Sequence, residues 1–229
     1  MATNINAIIP ARGGSKVIRN KNLQMINGMP MLAYTIIATK VVSEIDNVYV
    51  SSDNDHILNV VALYGATPIK RPTAIAQDTS TTESVVSHFL SLYSSQTRTV
   101  VLVQPTSPMV IAEDIKRGIQ TYQKNKHSSL FSACKTNDLL IWDEDGMYPI
   151  NYDPRNRGYR QTRKRCLLHE NGAFYIFKKQ LFIQTHCRLG GKNIGWSEMP
   201  AWRSFQVDSK EDLERVRTLM TLKMGKDGI

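Results

Sequence analysis

The sequence predicts an α/β fold in which a mostly parallel sheet carries helices on both faces. Three observations lead to this prediction. Short apolar segments of strand length alternate with segments of helical pattern along the 229-residue chain. Polar loops containing glycine or proline follow the apolar segments. The composition, 41% hydrophobic and 21% charged, allows one full core, so we expect a single domain over residues 1–229.

The predicted strands are short and apolar. Asn6–Pro10 is an apolar run that ends in a polar loop, and it predicts a buried first strand. Thr99–Val103 is the clearest strand, because each of its residues is β-branched or leucine. The other predicted strands are Asn47–Ser51, Ala66–Ile69, Ser129–Ala133 and Gly172–Phe177.

The segments between these strands have helical end signals. Pro30 opens the first helix, which extends to about Val42, because proline suits the first helical turn. Ser52–Asp55 cap the second helix and Gly65 ends it. The remaining helices run from a cap at Thr79–Thr82 to Tyr93, from Ala112 to Lys124 and from Glu211 to Met224. Helices between parallel strands make a three-layer, Rossmann-like arrangement.

Residues 137–169 interrupt this alternation and predict an excursion inserted within the domain. The segment is polar and contains the run Arg155–Arg165, with six cationic side chains and no acid. Subtracting these six charges from the formal +9 leaves +3, so the excess is local. A local patch favours a compact anionic ligand. Nucleic-acid binding is a distant alternative, because Tyr159 is the only aromatic residue in the run.

Several other classes of protein find no support in the sequence. No stretch contains the ~20 apolar residues that a membrane-spanning helix needs. The N-terminal residues lack the basic and apolar regions of a signal peptide. Three scattered cysteines form no disulfide framework, and five histidines show no metal-binding spacing. We therefore expect a cytoplasmic protein without a membrane partner.

The loop Arg12–Asn22 is the strongest candidate site. It directly follows the first strand, and parallel sheets bind ligands beyond the carboxyl ends of their strands. Two adjacent glycines allow a sharp turn that brings backbone N–H groups against an anion. Arg12, Lys16 and Lys21 add three positive charges, enough to face a triphosphate. The loop matches neither a Walker motif nor GxGxxG.

Four further positions each have two interpretations. Arg71 with Asp78–Thr82 either contacts a base and ribose or forms a helix cap beside a surface arginine. The side-chain amide of Gln104 either distinguishes between sugar hydroxyls by hydrogen bonding or stabilises its own loop. Asp208 either offers Mg²⁺ a carboxylate at a strand end or caps the last helix. Arg160 either closes over a carboxylate or phosphate or belongs to a solvated face.

Six blocks, in order, resemble the acylneuraminate cytidylyltransferases, the CMP–sialic acid synthetase family, over nearly the whole chain. The first block is similar to the signature of that family. The blocks are Ile8–Lys16 with Lys21–Asn22, Ser51–Asp53, Arg71–Pro72, Asp78–Thr79, Leu102–Pro108 and Glu170–Ile176. Their order makes the resemblance more specific than any single block.

The resemblance implies that the anomeric hydroxyl of a nine-carbon 2-keto sugar acid attacks the α-phosphate of CTP and releases pyrophosphate. The acid would be sialic acid or a bacterial relative such as legionaminic acid. The implied nucleotide site consists of Arg12, Gly13, Ser15, Lys16, Lys21, Asn22, Arg71, Ser80 and Thr82, with Arg12 and Lys21 in catalysis. The implied sugar site consists of Gln104, Arg160, Asn171 and Tyr175. The resemblance also implies a homodimer in which residues 137–169 reach the partner's site and Arg160 acts there.

One departure from the family concerns the metal. The family often has two acids where this chain has Gln206, Val207 and Asp208, and an amide is a weaker ligand for Mg²⁺ than a carboxylate. The resemblance therefore implies Asp208 as the metal ligand, alone with phosphates and water or helped by an acid such as Asp53. A nucleotidyltransferase of the same fold that acts on another sugar or nucleotide is the alternative function.

Overall fold

The computed structural model describes residues 4–136, 139–159 and 167–224, with the backbone alone at Met224. The strands in these ranges are β1 (Ile5–Pro10), β2 (Met25–Ile26), β3 (Met29–Pro30), β4 (Asn47–Ser52), β5 (Thr67–Lys70), β6 (Thr99–Val103), β7 (Ser129–Thr136), β8 (Trp142–Asp143), β9 (Tyr148–Pro149), β10 (Leu167–Lys178) and β11 (Ile194–Glu198). The α-helices are α1 (Met31–Lys40), α2 (Asp55–Leu63), α3 (Thr82–Tyr93), α4 (Ala112–Lys124), α5 (Lys179–Thr185) and α6 (Lys210–Met224).

Seven strands form one sheet in the order β11-β7-β10-β6-β1-β4-β5. The pairs β1–β4, β1–β6, β4–β5 and β7–β11 are parallel, whereas β10 is antiparallel to both of its neighbours. One apolar core lies between the sheet and α1, α2 and α4, and a second lies between the sheet and α3 and α5. The predicted three-layer, mostly parallel sheet is confirmed.

The C-terminal third of the sheet differs from the sequence-based prediction. β10 begins at Leu167, within the predicted excursion 137–169, and its first four residues pair with β7. Neither β11 nor α5 was predicted, because β11 contains glycine, serine and glutamate rather than an apolar run, and the seven residues of α5 are too few for a clear helical period. Residues 167–169 of the predicted excursion therefore belong to a strand of the main sheet.

Gly172 lies at an irregularity of β10, where the register against β7 shifts between Glu170 and Tyr175. Its φ is +66°, in the left-handed region that favours glycine. A Cβ atom at this position would lie 1.7 Å from Gln206 Nε2. That amide nitrogen donates to the Asn171 carbonyl at 2.6 Å. Gln206 therefore joins the segment before α6 to the sheet.

The helix caps agree with the prediction at α2 and α3 and differ at α6. Asn54 Oδ1 accepts a hydrogen bond from His56 N at 2.9 Å, and Thr81 Oγ1 accepts from Ser84 N at 3.2 Å. At α6 the capping residue is Ser209, whose Oγ accepts from the amide of the third helical residue at 3.1 Å. Asp208 is therefore not the cap, and it follows a loop segment rather than a strand.

A fully buried carboxylate fixes the start of α4. Asp114 Oδ1 accepts from Arg203 Nη2 at 2.9 Å and from Arg117 Nη2 at 2.6 Å, and its Oδ2 accepts from Arg203 Nη1. Asp114 Oδ2 also accepts from Ile111 N at 3.2 Å, which closes the first turn of the helix. This cluster joins α4 to residues 201–203.

Within the described ranges, no helix combines the length and the apolarity that crossing a membrane requires.

Candidate active site

A polar cavity of about 180 Å³ lies beyond the carboxyl ends of β1, β5 and β6. Its lining residues are Pro10, Arg12, Lys21, Asn22, Arg71, Ser80, Thr81, Thr82, Val85, Gln104, Pro105 and Thr106. Seven of the predicted site residues are therefore brought together: Arg12, Lys21, Asn22, Arg71, Ser80, Thr82 and Gln104. Ligands bind at this edge of parallel sheets, and here three cations meet there.

A larger cavity of about 660 Å³ lies near α1, α6 and the start of α4. Its lining is mostly apolar and includes Met29, Ile37, Val110 and Met220. Among the described residues of that lining, Glu113 is the one acid and none is lysine or arginine. A triphosphate needs cationic donors. We therefore assign the candidate active site to the smaller, cationic cavity.

The glycine at position 13 is required by a close approach between two loops. Gly13 N donates to Asp53 Oδ1 at 2.9 Å. A Cβ atom at Gly13 would lie 2.6 Å from the Cβ atom of Asn54, which caps α2. The loop after β1 therefore packs directly on the loop after β4, and a larger residue would push the two apart.

Lys21 and Asn22 position the second half of the predicted nucleotide loop. The Lys21 side chain is only 17% exposed, and its Nζ donates to Val207 O and to Asp208 Oδ1, both at 3.0 Å. Asn22 Nδ2 donates to Arg12 O at 2.9 Å. Asn22 Oδ1 is buried and accepts no hydrogen bond from any described residue. A buried acceptor without a partner is costly, so a ligand donor is its expected partner.

Arg71 is buried rather than at the surface, so the surface interpretation of this arginine is wrong. Its Nε donates to Ser51 Oγ at 3.1 Å and its Nη2 donates to Ser51 O at 2.6 Å. Burial lowers the pKa of Arg71 to about 10, so the guanidinium remains charged at neutral pH. Arg71 thus fixes the end of β4 and places a positive charge at the cavity.

Arg12 and Lys16 share a carboxylate that the sequence analysis did not assign to them. Asp78 Oδ1 lies 2.7 Å from Arg12 Nη1, and Asp78 Oδ2 lies 2.5 Å from Lys16 Nζ. The hydrogen bond from Lys16, and to a smaller extent that from Arg12, holds the pKa of Asp78 below its ordinary value. The sequence assigns Asp78 to a polar segment that either contacts a base and ribose or caps a helix. Its 66-residue separation from Arg12 left no local pattern that would have paired them.

Two predicted sugar-binding residues are buried away from the cavity lining. The Asn171 amide accepts from Ser132 Oγ at 2.6 Å and donates to Ser204 Oγ at 2.9 Å. The Tyr175 hydroxyl donates to Glu170 Oε1 at 2.5 Å. Burial raises the pKa of Tyr175, and the hydrogen bond and negative charge of Glu170 raise it further. The Arg188 guanidinium lies 4.5 Å from the centre of the Tyr175 ring, a contact that no sequence signal indicated.

Three other predicted site residues lie outside the cavity lining or outside the described residues. Ser15 lies in the loop between Arg12 and Lys16, outside the cavity lining. Asp208 is 64% exposed and is held beside the cavity by Lys21. Arg160 lies outside the described residues.

The chain matches a family and several individual proteins. The family model described as Cytidylyltransferase matches residues 6–223. The N-acylneuraminate cytidylyltransferase of Escherichia coli O18:K1:H7 is 30% identical over 226 residues, 97% of this chain and 54% of that protein. The N-acylneuraminate cytidylyltransferase A of Danio rerio is also 30% identical and is covered to 53%. The chain thus spans about half the length of these two curated relatives.

A third relative is matched over almost its whole length. The post-translational flagellin modification protein B of Campylobacter coli is 30% identical over 224 residues, 94% of each protein.

Solved structures show the same fold. The structure of CMP:2-keto-3-deoxy-manno-octonic acid synthetase complexed with CTP superposes with a TM-score of 0.72 at 19% identity, over 96% of this chain and 99% of that one. The 4-diphosphocytidyl-2C-methyl-D-erythritol synthase of Anaerococcus prevotii gives 0.69 at 18% identity, over 95% and 98%. At these identities the likeness supports the fold, while the family model covers nearly the whole chain. The chain therefore belongs to the cytidylyltransferase family.

Proposed function

We propose that the chain transfers CMP from CTP to the anomeric hydroxyl of a nine-carbon 2-keto sugar acid, sialic acid or a bacterial relative such as legionaminic acid. The observation that carries this proposal is the meeting of Arg12, Lys21, Asn22 and Arg71 with Gln104 in one cavity at the ligand-binding edge of the sheet. The names of the N-acylneuraminate cytidylyltransferases among its relatives support the choice of a sugar acid.

The proposed roles follow from the chemistry of the cavity. The anomeric hydroxyl oxygen attacks the α-phosphorus and gives up its proton to water, and the bond between the α-phosphorus and the oxygen that bridges to the β-phosphate breaks so that pyrophosphate leaves. Arg12, Lys16 and Lys21 bind the phosphates, and Arg12 and Lys21 neutralise the charge that develops during transfer. Asn22 Oδ1, a buried acceptor, suits the amino group of cytosine. Positioning and charge neutralisation account for the catalysis in this scheme.

Three polar side chains complete the proposed nucleotide and sugar contacts. Ser80 and Thr82, at the start of α3, line the cavity and offer hydroxyls to the cytidine. Gln104 lies in the loop after β6, where its backbone N–H donates to Ala173 O at 2.9 Å. Its side-chain amide can form hydrogen bonds that distinguish between sugar hydroxyls. We also propose that the sugar is contacted by Asn171, Tyr175 and Arg160.

The residues near Lys21 fit a magnesium site with one protein carboxylate. Asp208 is exposed and adjacent to a phosphate-binding cation, whereas the Gln206 amide is directed at the Asn171 carbonyl. No cluster of three or more possible metal ligands occurs within the described ranges. Mg²⁺ commonly binds one or two carboxylates together with phosphate oxygens and waters. Bound there, Mg²⁺ would supply further neutralisation of the phosphate charge.

The transferase proposal is tested by incubating the protein with CTP, Mg²⁺ and a panel of nine-carbon and eight-carbon 2-keto acids. Pyrophosphate release with at least one nine-carbon acid is expected. Thermal shifts with CTP, UTP, ATP and GTP give the nucleotide preference, because a bound ligand raises apparent stability. Release only with an eight-carbon acid, or a larger shift with another nucleotide, would favour the alternative within the same fold. No release with any acid would contradict the proposal.

A homodimer is the second part of the proposal. The excursion contains the β8–β9 hairpin and carries large apolar side chains that face solvent. These side chains belong to Leu139, Ile141, Trp142, Met147, Tyr148, Ile150 and Tyr159, and they are 44–79% exposed. Large apolar side chains left exposed within one segment are typical of an interface between protein chains. A second copy covering it would bring the excursion to the partner's cavity.

Replacing Met147 and Ile150 together with aspartate is expected to convert the dimer to a monomer. Each buried apolar side chain contributes roughly 1.5–3 kcal/mol, and two new charges at an interface would add desolvation costs. Light scattering after size exclusion measures the mass. Leu63→Asp, on α2 and 83% exposed, is the matched control and should leave the mass unchanged. A wild-type monomer at high concentration, or a dimeric double variant, would contradict this part of the proposal.

The proposal also includes a cytoplasmic location. Cys134 is buried and Cys187 is exposed, and both are free thiols. Free exposed thiols are typical of reducing compartments, where disulfides do not accumulate.

A further inference from the structure

Asp78 links the predicted phosphate-binding loop to the loop that precedes α3. Each of its two carboxylate oxygens contacts a different cation, Arg12 at 2.7 Å and Lys16 at 2.5 Å. The Asp78 side chain is 40% exposed and that of Lys16 is 78% exposed, so this bridge lies at the surface beside the cavity that Arg12 lines. The loop of Asp78 continues into Ser80 and Thr82, which line the same cavity.

The position of this carboxylate conflicts with a triphosphate on the same cations. A carboxylate and a phosphate group that approach one ammonium group repel each other. The competition is strongest at Lys16, whose three N–H donors belong to one compact charge, whereas the guanidinium of Arg12 spreads its charge over several N–H donors. A phosphate that binds Lys16 shares this charge with the Asp78 carboxylate and is repelled by it, so replacement of the carboxylate by the phosphate relieves the repulsion.

We propose that Asp78 is a positioning residue that holds Arg12 and Lys16 and is displaced by the phosphates of the nucleotide. The inference rests on the proposed function for its ligand, a triphosphate. When the nucleotide binds, phosphate oxygens take the place of the carboxylate on the two cations. When pyrophosphate leaves, Asp78 returns to them. Asp78 thus weakens phosphate binding and assists the departure of pyrophosphate.

A different arrangement makes the opposite prediction. If Asp78 remained on both cations and oriented them toward the phosphates, its removal would weaken phosphate binding. The sign of the change in affinity therefore distinguishes displacement from orientation.

The test uses the full chain with Asp78→Asn, which keeps the shape of the side chain and removes its charge. Calorimetry with inorganic tripolyphosphate and with pyrophosphate, at two salt concentrations, measures Kd. Displacement predicts a Kd about three- to tenfold lower for both anions, the range expected for losing an exposed competing charge. The affinity of the variant should also fall more steeply with salt, because its site carries one more net positive charge. The inhibition constant of pyrophosphate should fall by the same factor.

The matched control is Asp55→Asn, because Asp55 forms a similar 2.5 Å ion pair with Lys70 outside the cavity lining. Its Kd for both anions should equal that of the wild type. Asp78→Ser is a second variant that should change Kd in the same direction as Asp78→Asn. Equal or weaker binding of tripolyphosphate by both Asp78 variants overturns the inference. Tighter binding in a chain that transfers CMP to no acid supports the inference and contradicts the proposed function.

Discussion

Replacing Lys21 with methionine is expected to lower kcat/KM for CMP transfer by about 100- to 1000-fold, the usual loss for one donor that stabilises transition-state charge. Lys21 lines the cavity together with Arg12, and its ammonium group donates to Asp208. Methionine keeps the length of the side chain and removes the charge. Because the interaction strengthens as charge develops, most of the loss should appear in kcat. Initial rates of pyrophosphate release, measured over CTP concentration, separate kcat from KM.

Lys21 also donates a hydrogen bond to the backbone carbonyl of Val207. The effect of losing this bond in Lys21→Met has to be distinguished from the effect of losing the charge. Lys40→Met is the matched control, because Lys40 Nζ likewise donates to a backbone carbonyl, that of Tyr64, at 3.2 Å, away from the cavity. Its kcat/KM should stay within about twofold of the wild type, as expected for an exposed surface contact. Lys21→Arg should recover part of kcat. A Lys21→Met variant with near-normal kcat would show that this lysine takes no part in transfer.

The sequence predicted six of the seven strands of the described sheet because short apolar runs mark them. Asn6–Pro10 and Thr99–Val103 are apolar runs, and caps such as Asn54 and Thr81 mark the helices that follow other strands. The direction of β10 has no comparable local signal. Its antiparallel pairing with β6 depends on where a chain segment returns after a long insertion, which a hydrophobic period does not encode.

The site shows the same division between local and long-range information. The loop Arg12–Asn22 was predicted from charge and glycines alone, because strand, turn and cations lie within one segment. The Asp78 bridge and the Lys21–Asp208 pair join residues more than 60 positions apart, and both were missed. Asn171 was assigned to the sugar through a family motif, but its amide joins β7 to the segment before α6. A motif can therefore mark a structural requirement as well as a contact with substrate.

Replacing Asp114 with alanine is expected to lower the free energy of unfolding by about 3–5 kcal/mol, because it leaves a buried arginine without its counter-ion. Asp114 is fully buried and Arg203, which donates to both of its oxygens, is only 9% exposed. The substitution also removes the hydrogen bond that closes the first turn of α4. Urea unfolding followed by circular dichroism measures the change.

The neighbouring Glu113 provides the matched control, because it lies in the same first turn and is exposed. Glu113→Ala should cost less than about 1 kcal/mol, the usual size of an interaction with a helix dipole. The double variant Asp114→Ala with Arg203→Met removes both charges and should regain part of the loss. A cost for Asp114→Ala no larger than that of the control would show that Arg203 reaches solvent when its partner is absent. The segment containing Gln206 and Asp208, which follows Arg203 directly, would then not depend on this buried pair for its position.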